Sequence, residues 1–210
     1  MGHRVGSQVC PGCPLPHPEA VEAPWRRHEP GETLVEQGEL RGEVLRVREG
    51  VVLVSAVDRD GEETLCALRG PGACLNLNAI LKRPSTTRAQ ALGPVLVCHL
   101  SVELLSDALD SGGEPAHALA TLLLDETRAI IEGQRHAVGR RAGARLASLL
   151  LEMDGLGLSP ADVPRGLLAR LLRIRPETLS RLVQEVRDAG LVGPGLDLRD
   201  RGGLERWHRE

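Results

Sequence analysis

The sequence predicts an α+β protein with an antiparallel β-roll, a long helix and a C-terminal winged helix-turn-helix, in that order. Three observations support this. Short runs of Val, Leu and Thr broken by glycines fill residues 31–112. Apolar residues then recur at three- and four-residue spacing over residues 113–154. Residues Arg165–Gln184 show the pattern of two short helices packed at a steep angle. The remaining segments are a cysteine-containing lead segment, residues 1–30, and the helix-turn-helix domain, residues 155–210.

Composition narrows the class of protein. Hydrophobic residues make up 41% of the 210 residues, enough for a core, but aromatic residues make up 1%. The chain therefore lacks aromatic platforms for stacking single-stranded nucleic acid. Lys82 is the only lysine, so the positive charge is almost all arginine, which suits paired hydrogen bonds to guanine and phosphate. The sequence shows no apolar signal-peptide core and no run as long as a membrane span, so we expect a cytoplasmic protein without a membrane partner.

The roll is predicted from turn signals between short apolar runs. These signals are Gly38, Gly50, Asp60-Gly61 and Pro71-Gly72. Asp-Gly between two apolar runs is typical of a β-hairpin. The segment is therefore predicted to form a series of antiparallel strands.

The segment 113–154 is predicted to be a dimerisation helix. Its apolar residues lie close to a coiled-coil seam, and they are Leu119, Leu122, Leu123, Ile130, Ile131, Ala137 and Val138. Gly133, Gly139 and Gly143 each weaken an isolated helix by about 1 kcal/mol, and a partner helix would compensate. The alternative is a helix that packs only on its own chain.

The helix-turn-helix is predicted from its buried positions, which are Leu168, Ala169, Leu172, Ile174, Leu179 and Leu182. Arg173 stands at the turn position that normally holds glycine, because φ is positive there, and this costs roughly 1 kcal/mol. Pro176 and Glu177 suit the first turn of a second helix. Leu191–Leu198, around Gly193-Pro194-Gly195, is expected to form a two-stranded wing.

One face of the second helix is predicted to contact double-stranded DNA. Glu177, Ser180 and Arg181 lie at i, i+3 and i+4, where Arg can bond guanine and Glu can accept from cytosine. Six arginines and three carboxylates between Arg165 and Asp188 give this segment a charge of +3. The candidate DNA-contacting residues are Arg175, Glu177, Thr178, Ser180 and Arg181. No Gly-rich phosphate loop, H-E-x-x-H motif or nucleophile with a base is present, so we expect no enzyme and no catalytic residues.

These motifs resemble the CRP/FNR family of bacterial transcription regulators. The motifs are G-E-T-L-x-x-x-G at Gly31–Gly38, V-x-x-G-x-V at Val47–Val52, P-G at Pro71-Gly72 and R-P-E-T-L-S-R at Arg175–Arg181. The resemblance implies a roll like a cyclic-nucleotide-binding domain, a homodimer, and RNA polymerase as a partner. The E-x-x-S-R form of Glu177, Ser180 and Arg181 resembles the FNR branch, which implies an inverted repeat of TTGA-type half-sites.

The resemblance also bears on ligands. Cyclic-nucleotide binders of the family carry a Glu where this chain has Leu77, and an Arg-Ser/Thr pair where it has Thr87-Arg88 in reverse order. We therefore predict no cyclic-nucleotide site. A roll that binds another small effector remains an alternative, as does a metal or redox protein with no role on DNA.

Five cysteines suggest a metal or redox site in a reducing compartment. Cys10 and Cys13 form a C-x-x-C pair that can hold one metal or cluster. The A-Q-A-L run that leads to Cys98 resembles the FNR-type oxygen sensors, which implies Cys10, Cys13 and Cys98 as ligands of a [4Fe–4S] cluster. The fourth ligand stays open: Glu19 occupies the family position, and Cys74, Cys66 or His17 are other candidates. The alternative for Cys66 and Cys74 is a small buried hydrophobe.

The histidines are predicted to be ordinary surface residues. His28 stands among polar residues, and His99 is expected to point outward from a strand.

Overall fold

The computed structural model describes residues 25–137 and 141–207. Contacts divide the chain into two compact units, with the boundary between Ile130 and Ile131. Cys10, Cys13, His17 and Glu19 lie outside the described residues.

The first unit is the predicted antiparallel roll. Two four-stranded sheets have the orders β1-β8-β3-β6 and β2-β7-β4-β5. The strands are β1 Trp25–His28, β2 Thr33–Val35, β3 Glu43–Glu49, β4 Val52–Val57, β5 Glu63–Arg69, β6 Cys74–Leu75, β7 Arg88–Ala91 and β8 Val95–Ser101. A short 3-10 helix spans Leu77–Leu81. Strand β1 lies in the part of the chain that we expected to be irregular, because Trp25 and His28 are both buried against β8.

The two faces of the sheet that contains β8 serve two cores. Val95 and Val97 pack into a cluster with β2, β4 and β7, whereas Cys98 and Leu100 pack into a second cluster. This second cluster is covered by helices α1, Val102–Asp110, and α2, Gly113–Ala137. Successive side chains of a strand point to opposite faces, and this alternation gives β8 its two buried sides.

The predicted turns explain how the strands connect. The hairpin at Asp60-Gly61 joins β4 to β5, and Gly61 has a φ of 84°. Gly50 has a φ of 83°, and a Cβ added there would lie 2.3 Å from the carbonyl oxygen of Pro94. Glycine is therefore needed at Gly50 for both its conformation and its space.

The single helix expected over residues 113–154 is wrong. Helix α2 ends at Ala137, and α3 spans Ala142–Gly155, with Arg141 in a non-helical conformation (φ −58°, ψ 149°) at its start. Gly143, the second residue of α3, lowers helix propensity next to this non-helical residue. Apolar residues follow helical spacing before and after the break, so the sequence pattern did not indicate it.

The second unit contains α3, a short 3-10 helix at Pro160–Asp162, and three more helices. These are α4 Arg165–Leu171, α5 Pro176–Asp188 and α6 Arg201–Trp207. Its largest fully buried side chains are Leu146, Met153, Leu168, Leu179, Leu196 and Leu204. The expected two-stranded wing is reduced to one antiparallel bridge, between Val192 and Leu198. Across the residues that the structure describes, no helix has the length and apolar character that crossing a membrane requires.

Candidate nucleic-acid interface

Helices α4 and α5 form the predicted helix-turn-helix. Of the positions predicted to be buried, Ile174 is half-buried. The others are buried, and they are Leu168, Ala169, Leu172, Leu179 and Leu182. Ala169 is 2% exposed, which fits a small side chain at the closest approach of two helices. The fold of this segment thus rests on apolar contacts, and the polar residues of α5 are left for another role.

The turn between α4 and α5 is a Schellman motif without glycine. The amide of Ile174 donates to the carbonyl of Ala169 at 3.0 Å, and the amide of Arg173 donates to the carbonyl of Arg170 at 3.0 Å. Arg173 has a φ of 52°, as the turn requires. The left-handed residue predicted from the sequence is therefore present, and an arginine adopts it.

Helix α5 begins as the sequence predicts. Arg175 is extended (φ −72°, ψ 150°) and precedes Pro176, the first helical residue, and Glu177 lies in the first turn. A residue before proline favours extended backbone, and the carboxylate is favourable at the positive end of the helix dipole.

The predicted contact residues lie on the outer face of α5. Glu177, Ser180 and Arg181 are exposed, Arg175 is exposed, and Thr178 is half-buried. The side chain of Arg181 is 73% exposed, and its Nε lies 3.8 Å from Glu185 Oε1. Such an exposed i,i+4 pair contributes only about 0.3–0.5 kcal/mol, so Arg181 can exchange it for another partner at little cost.

Ser180 has a fixed donor direction. Its Oγ donates to the carbonyl of Pro176 at 3.0 Å, one turn earlier in α5. Because the hydroxyl proton is used there, the outward lone pairs of Ser180 act as acceptors. Ser180 can therefore accept a hydrogen bond from a donor outside the helix.

A pair of arginines gives this unit a second positive feature. Burial and the nearby Arg187 guanidinium lower the pKa of Arg165. Arg187 also donates to the carbonyl of Pro194 in the wing. The two guanidinium groups repel each other, which favours an anion near them.

The cysteines that the structure describes do not share one ligand set. Trp25, Cys98, Arg46 and Cys74 stand on one rung across β1, β8, β3 and β6. Cys98 and Cys74 are both buried and lie two strands apart, about 10 Å, with Arg46 between them. Cys66 is exposed, so its interpretation as a buried hydrophobe is wrong. Among the described residues, no group of three His, Cys, Asp or Glu side chains is arranged to hold a metal.

Two histidines are buried, contrary to the prediction. The rings of His28 and His99 stack with centroids 5.9 Å apart. His28 Nδ1 lies 2.8 Å from Glu32 Oε1, and His99 Nδ1 lies 3.0 Å from Glu43 Oε2. Burial, with the nearby Arg26, lowers the pKa of His99, although its hydrogen bond to Glu43 opposes the shift. Val95 and Val97, at alternate positions of β8, give the signal that His99 faces the core.

A buried ion pair was also not predicted from the sequence. Glu126 on α2 pairs with Arg69 at the end of β5 and accepts from the backbone amide of Cys74 at 3.0 Å. The side chains of Glu126 and Arg69 are only 6% and 12% exposed. Glu126 continues the buried stripe of Leu119 and Leu122, so a charged residue at an apolar position of α2 was the available signal.

Comparison with known proteins identifies both units. The model named cyclic nucleotide-binding domain matches residues 25–111, and the Crp-like helix-turn-helix domain matches residues 144–207. Together they cover more than half of the chain, in the order that the resemblance implies. The chain belongs to the CRP/FNR family. It is a DNA-binding transcription regulator of the type that this family comprises.

Relatives of this CRP/FNR regulator are similar over most of its length. It is 24% identical to the regulatory protein HlyX of Actinobacillus pleuropneumoniae over 162 residues, which cover 73% of this chain and 67% of HlyX. It is 22% identical to the anaerobic regulatory protein of Haemophilus influenzae over 184 residues, 82% of this chain and 72% of that protein.

Solved structures share the fold of the CRP/FNR regulator. A transcriptional regulator of the CRP family from Thermus thermophilus superposes with a TM-score of 0.74 at 23% identity, covering 88% of this chain and 96% of that one. FixK2 from Bradyrhizobium japonicum gives 0.73 at 22% identity, covering 87% of this chain and 96% of FixK2. The predicted fold class is thus confirmed.

Proposed function

We propose that this regulator reads an inverted repeat of TTGA-type half-sites, as the FNR branch does. The main support is that Glu177, Ser180 and Arg181 are exposed on one face of α5, whereas the opposite face of this helix is buried. Arg181 donates to O6 and N7 of guanine, and Glu177 accepts from the amino group of cytosine. Arg175 and Thr178, beside the first turn of α5, position the helix against phosphates.

The dimer that this target requires is proposed to form along α2. Leu124, Ile130 and Ile131 of α2 are 70%, 44% and 53% exposed. Such large apolar side chains along one helix favour a second copy as their cover. A dimer with two-fold symmetry carries one α5 helix for each half-site, which explains an inverted repeat.

Fluorescence anisotropy with a labelled duplex tests this function. We expect the wild-type chain to bind an inverted TTGA repeat more tightly than a duplex with one half-site, at fixed salt. Arg181→Ala should lose about tenfold or more in affinity, since a good paired contact to guanine contributes about 1–3 kcal/mol. Arg59→Ala, in the β4–β5 hairpin of the roll, is the matched control and should leave affinity unchanged. Equal affinity of the Arg181→Ala variant would reject the contact.

We also propose that DNA binding responds to oxygen or nitric oxide through a [4Fe–4S] cluster. The lead segment enters the roll at Trp25, which pairs directly with Cys98. The 12 residues from Cys13 to Trp25 reach up to about 40 Å when extended, so Cys10 and Cys13 are able to approach the Cys98 thiol. These three thiolates would hold the cluster. A bound cluster would supply a redox-sensitive centre, and its loss would shift the population away from the DNA-binding dimer.

The fourth ligand in this proposal comes from the lead segment. Glu19 and His17 follow Cys13 closely in the chain, whereas Cys74 is separated from Cys98 by Arg46. Iron and sulfide analysis of protein purified without air tests the proposal. Cys98→Ser should abolish iron retention, and Cys66→Ser, at an exposed position outside the set, should not. A wild-type protein without iron after reconstitution would exclude the cluster.

The cyclic nucleotide-binding domain match favours a second candidate, a roll that binds a small effector. Cyclic nucleotides are not the expected ligand. Arg88 donates from Nη2 to Thr33 Oγ1 at 2.8 Å, and its Nε lies 3.6 Å from Glu36 Oε2. The side chain is thus already directed toward β2. Calorimetry with cyclic AMP should show no binding. Binding in the micromolar range would reject the prediction that the roll lacks a cyclic-nucleotide site.

RNA polymerase is the proposed protein partner, by family membership. In vitro transcription from a promoter that carries the inverted repeat should change when the regulator is added. No change with wild-type protein bound at the repeat would count against this partner.

A further inference from the structure

The α4–α5 turn of this regulator contains a backbone conformation that its sequence does not favour. Arg173 takes a φ of 52°, where glycine is the usual residue because a Cβ crowds the following carbonyl. The two Schellman hydrogen bonds account for the carbonyls of Ala169 and Arg170. The carbonyl of Leu172, which immediately precedes Arg173, takes part in neither of them.

Arg145 of α3 supplies the donor for that carbonyl. Its Nε donates to Leu172 O at 3.1 Å, across 27 positions of sequence. The neighbours Ala144, Leu146 and Ala147 are all buried, so the backbone of Arg145 is held firmly in place. A charged donor at the carbonyl end of α4 also suits the negative end of the helix dipole. Hydrogen bonds from charged donors are stronger than neutral ones.

We propose that Arg145 is a positioning residue for DNA recognition: by bonding the Leu172 carbonyl it holds the Arg173 turn in its left-handed conformation and so fixes the angle at which α5 presents Arg181. The inference rests on the proposed reading of DNA by α5. Arg145 acts through the turn and does not itself contact a base, since its Nε is aimed at protein backbone.

A thermodynamic cycle with the turn residue tests this role. Arg145→Met keeps most of the aliphatic stem and removes the donor, and we expect it to weaken binding to the inverted repeat by about three- to tenfold. Arg173→Gly removes the strain of the left-handed residue, and it should bind at least as tightly as wild type. In the Arg145→Met/Arg173→Gly double variant, most of the affinity lost in Arg145→Met should return.

Salt dependence separates positioning from direct contact. A residue that neutralises a phosphate contributes about one unit to the slope of log affinity against log salt. Arg145→Met should leave this slope unchanged, whereas Arg175→Ala, the phosphate-contact control, should lower it by about two units, one for each subunit of the dimer. Arg145→Lys keeps the charge and a donor at the end of a flexible stem, so it should bind the repeat more tightly than Arg145→Met, and it guards against a variant that fails to fold.

Two results would overturn the proposal. If the slope falls by about two units in Arg145→Met, Arg145 contacts phosphate instead. If the effects of Arg145→Met and Arg173→Gly simply add, the two residues do not act on one turn. A wild-type chain that does not bind the repeat at all would show that the DNA-reading function itself fails, and the positioning role with it.

Discussion

Removal of the Glu126 carboxylate should strongly destabilise the roll. Glu126 and Arg69 form a buried ion pair, and the backbone amide of Cys74 also donates to Glu126. In Glu126→Ala, the Arg69 guanidinium keeps its desolvation cost but loses this counter-charge, and the amide loses its acceptor. Breaking one side of a buried pair typically costs about 3–5 kcal/mol. Because Arg69 has other interactions, we expect the lower end, about 3 kcal/mol.

Replacing both charges should cost much less than removing one. In Arg69→Met/Glu126→Leu, apolar side chains of similar length take over the two positions, next to Leu119 and Leu122 of the same stripe. Buried pairs replaced in this way are often neutral or stabilised. The double variant should therefore recover at least half of the free energy of unfolding lost in Glu126→Ala.

Urea unfolding followed by tryptophan fluorescence measures both effects. The two tryptophans lie in different units, Trp25 buried in the roll and Trp207 at the end of α6. A Trp207→Phe background therefore makes Trp25 the reporter of the roll. A loss below about 1 kcal/mol in Glu126→Ala would refute the reasoning. A double variant less stable than Glu126→Ala would refute it as well.

Three further changes test other parts of the fold. Gly50→Ala should lower the free energy of unfolding by at least about 2 kcal/mol, through backbone strain and a clash with Pro94. Gly61→Ala, with no atom near its added Cβ, should lower it less, and equal losses would contradict the clash. Leu168→Ala, at a fully buried position, should cost about 2–5 kcal/mol in unfolding followed by Trp207 fluorescence, and a loss under about 1 kcal/mol would be inconsistent with its burial. The stability of the roll should fall as pH drops below 6.5, because burial depresses the pKa of His99 in the folded state and the unfolded chain takes up the proton first. His99→Gln should flatten that slope in the range below pH 6.5, and an unchanged slope would reject the assignment to His99.

The sequence predicted the helix-turn-helix in detail because its constraints are local. Leu168 and Leu179 follow helical spacing, Pro176 marks a helix start, and Arg173 stands where the turn needs a positive φ. Each of these features is recognisable within a few residues. The exposed face of α5 follows directly from the buried one.

Features that depend on pairing between distant segments were missed. His28 and His99 are polar residues whose burial depends on the meeting of β1 and β8. Glu32 lies only four residues beyond His28, whereas the carboxylate that compensates His99 is Glu43, 56 positions away. The same holds for Arg69 and Glu126, which are 57 positions apart. Periodicity alone also could not show the break before α3, since apolar spacing continues on both sides of it.

Substitution of single atoms in the DNA tests whether Arg181 bonds guanine in each half-site. Anisotropy is measured on the inverted TTGA repeat with guanine and with 7-deazaguanine, which lacks the N7 acceptor. We predict that wild-type affinity falls roughly tenfold on the 7-deazaguanine duplex, within the range for one paired contact, and that Arg181→Ala binds both duplexes equally. Equal affinity of the wild type for the two duplexes would show that Arg181 does not bond N7 of guanine. The same conclusion would follow if Arg181→Ala still bound the 7-deazaguanine duplex roughly tenfold more weakly than the guanine duplex.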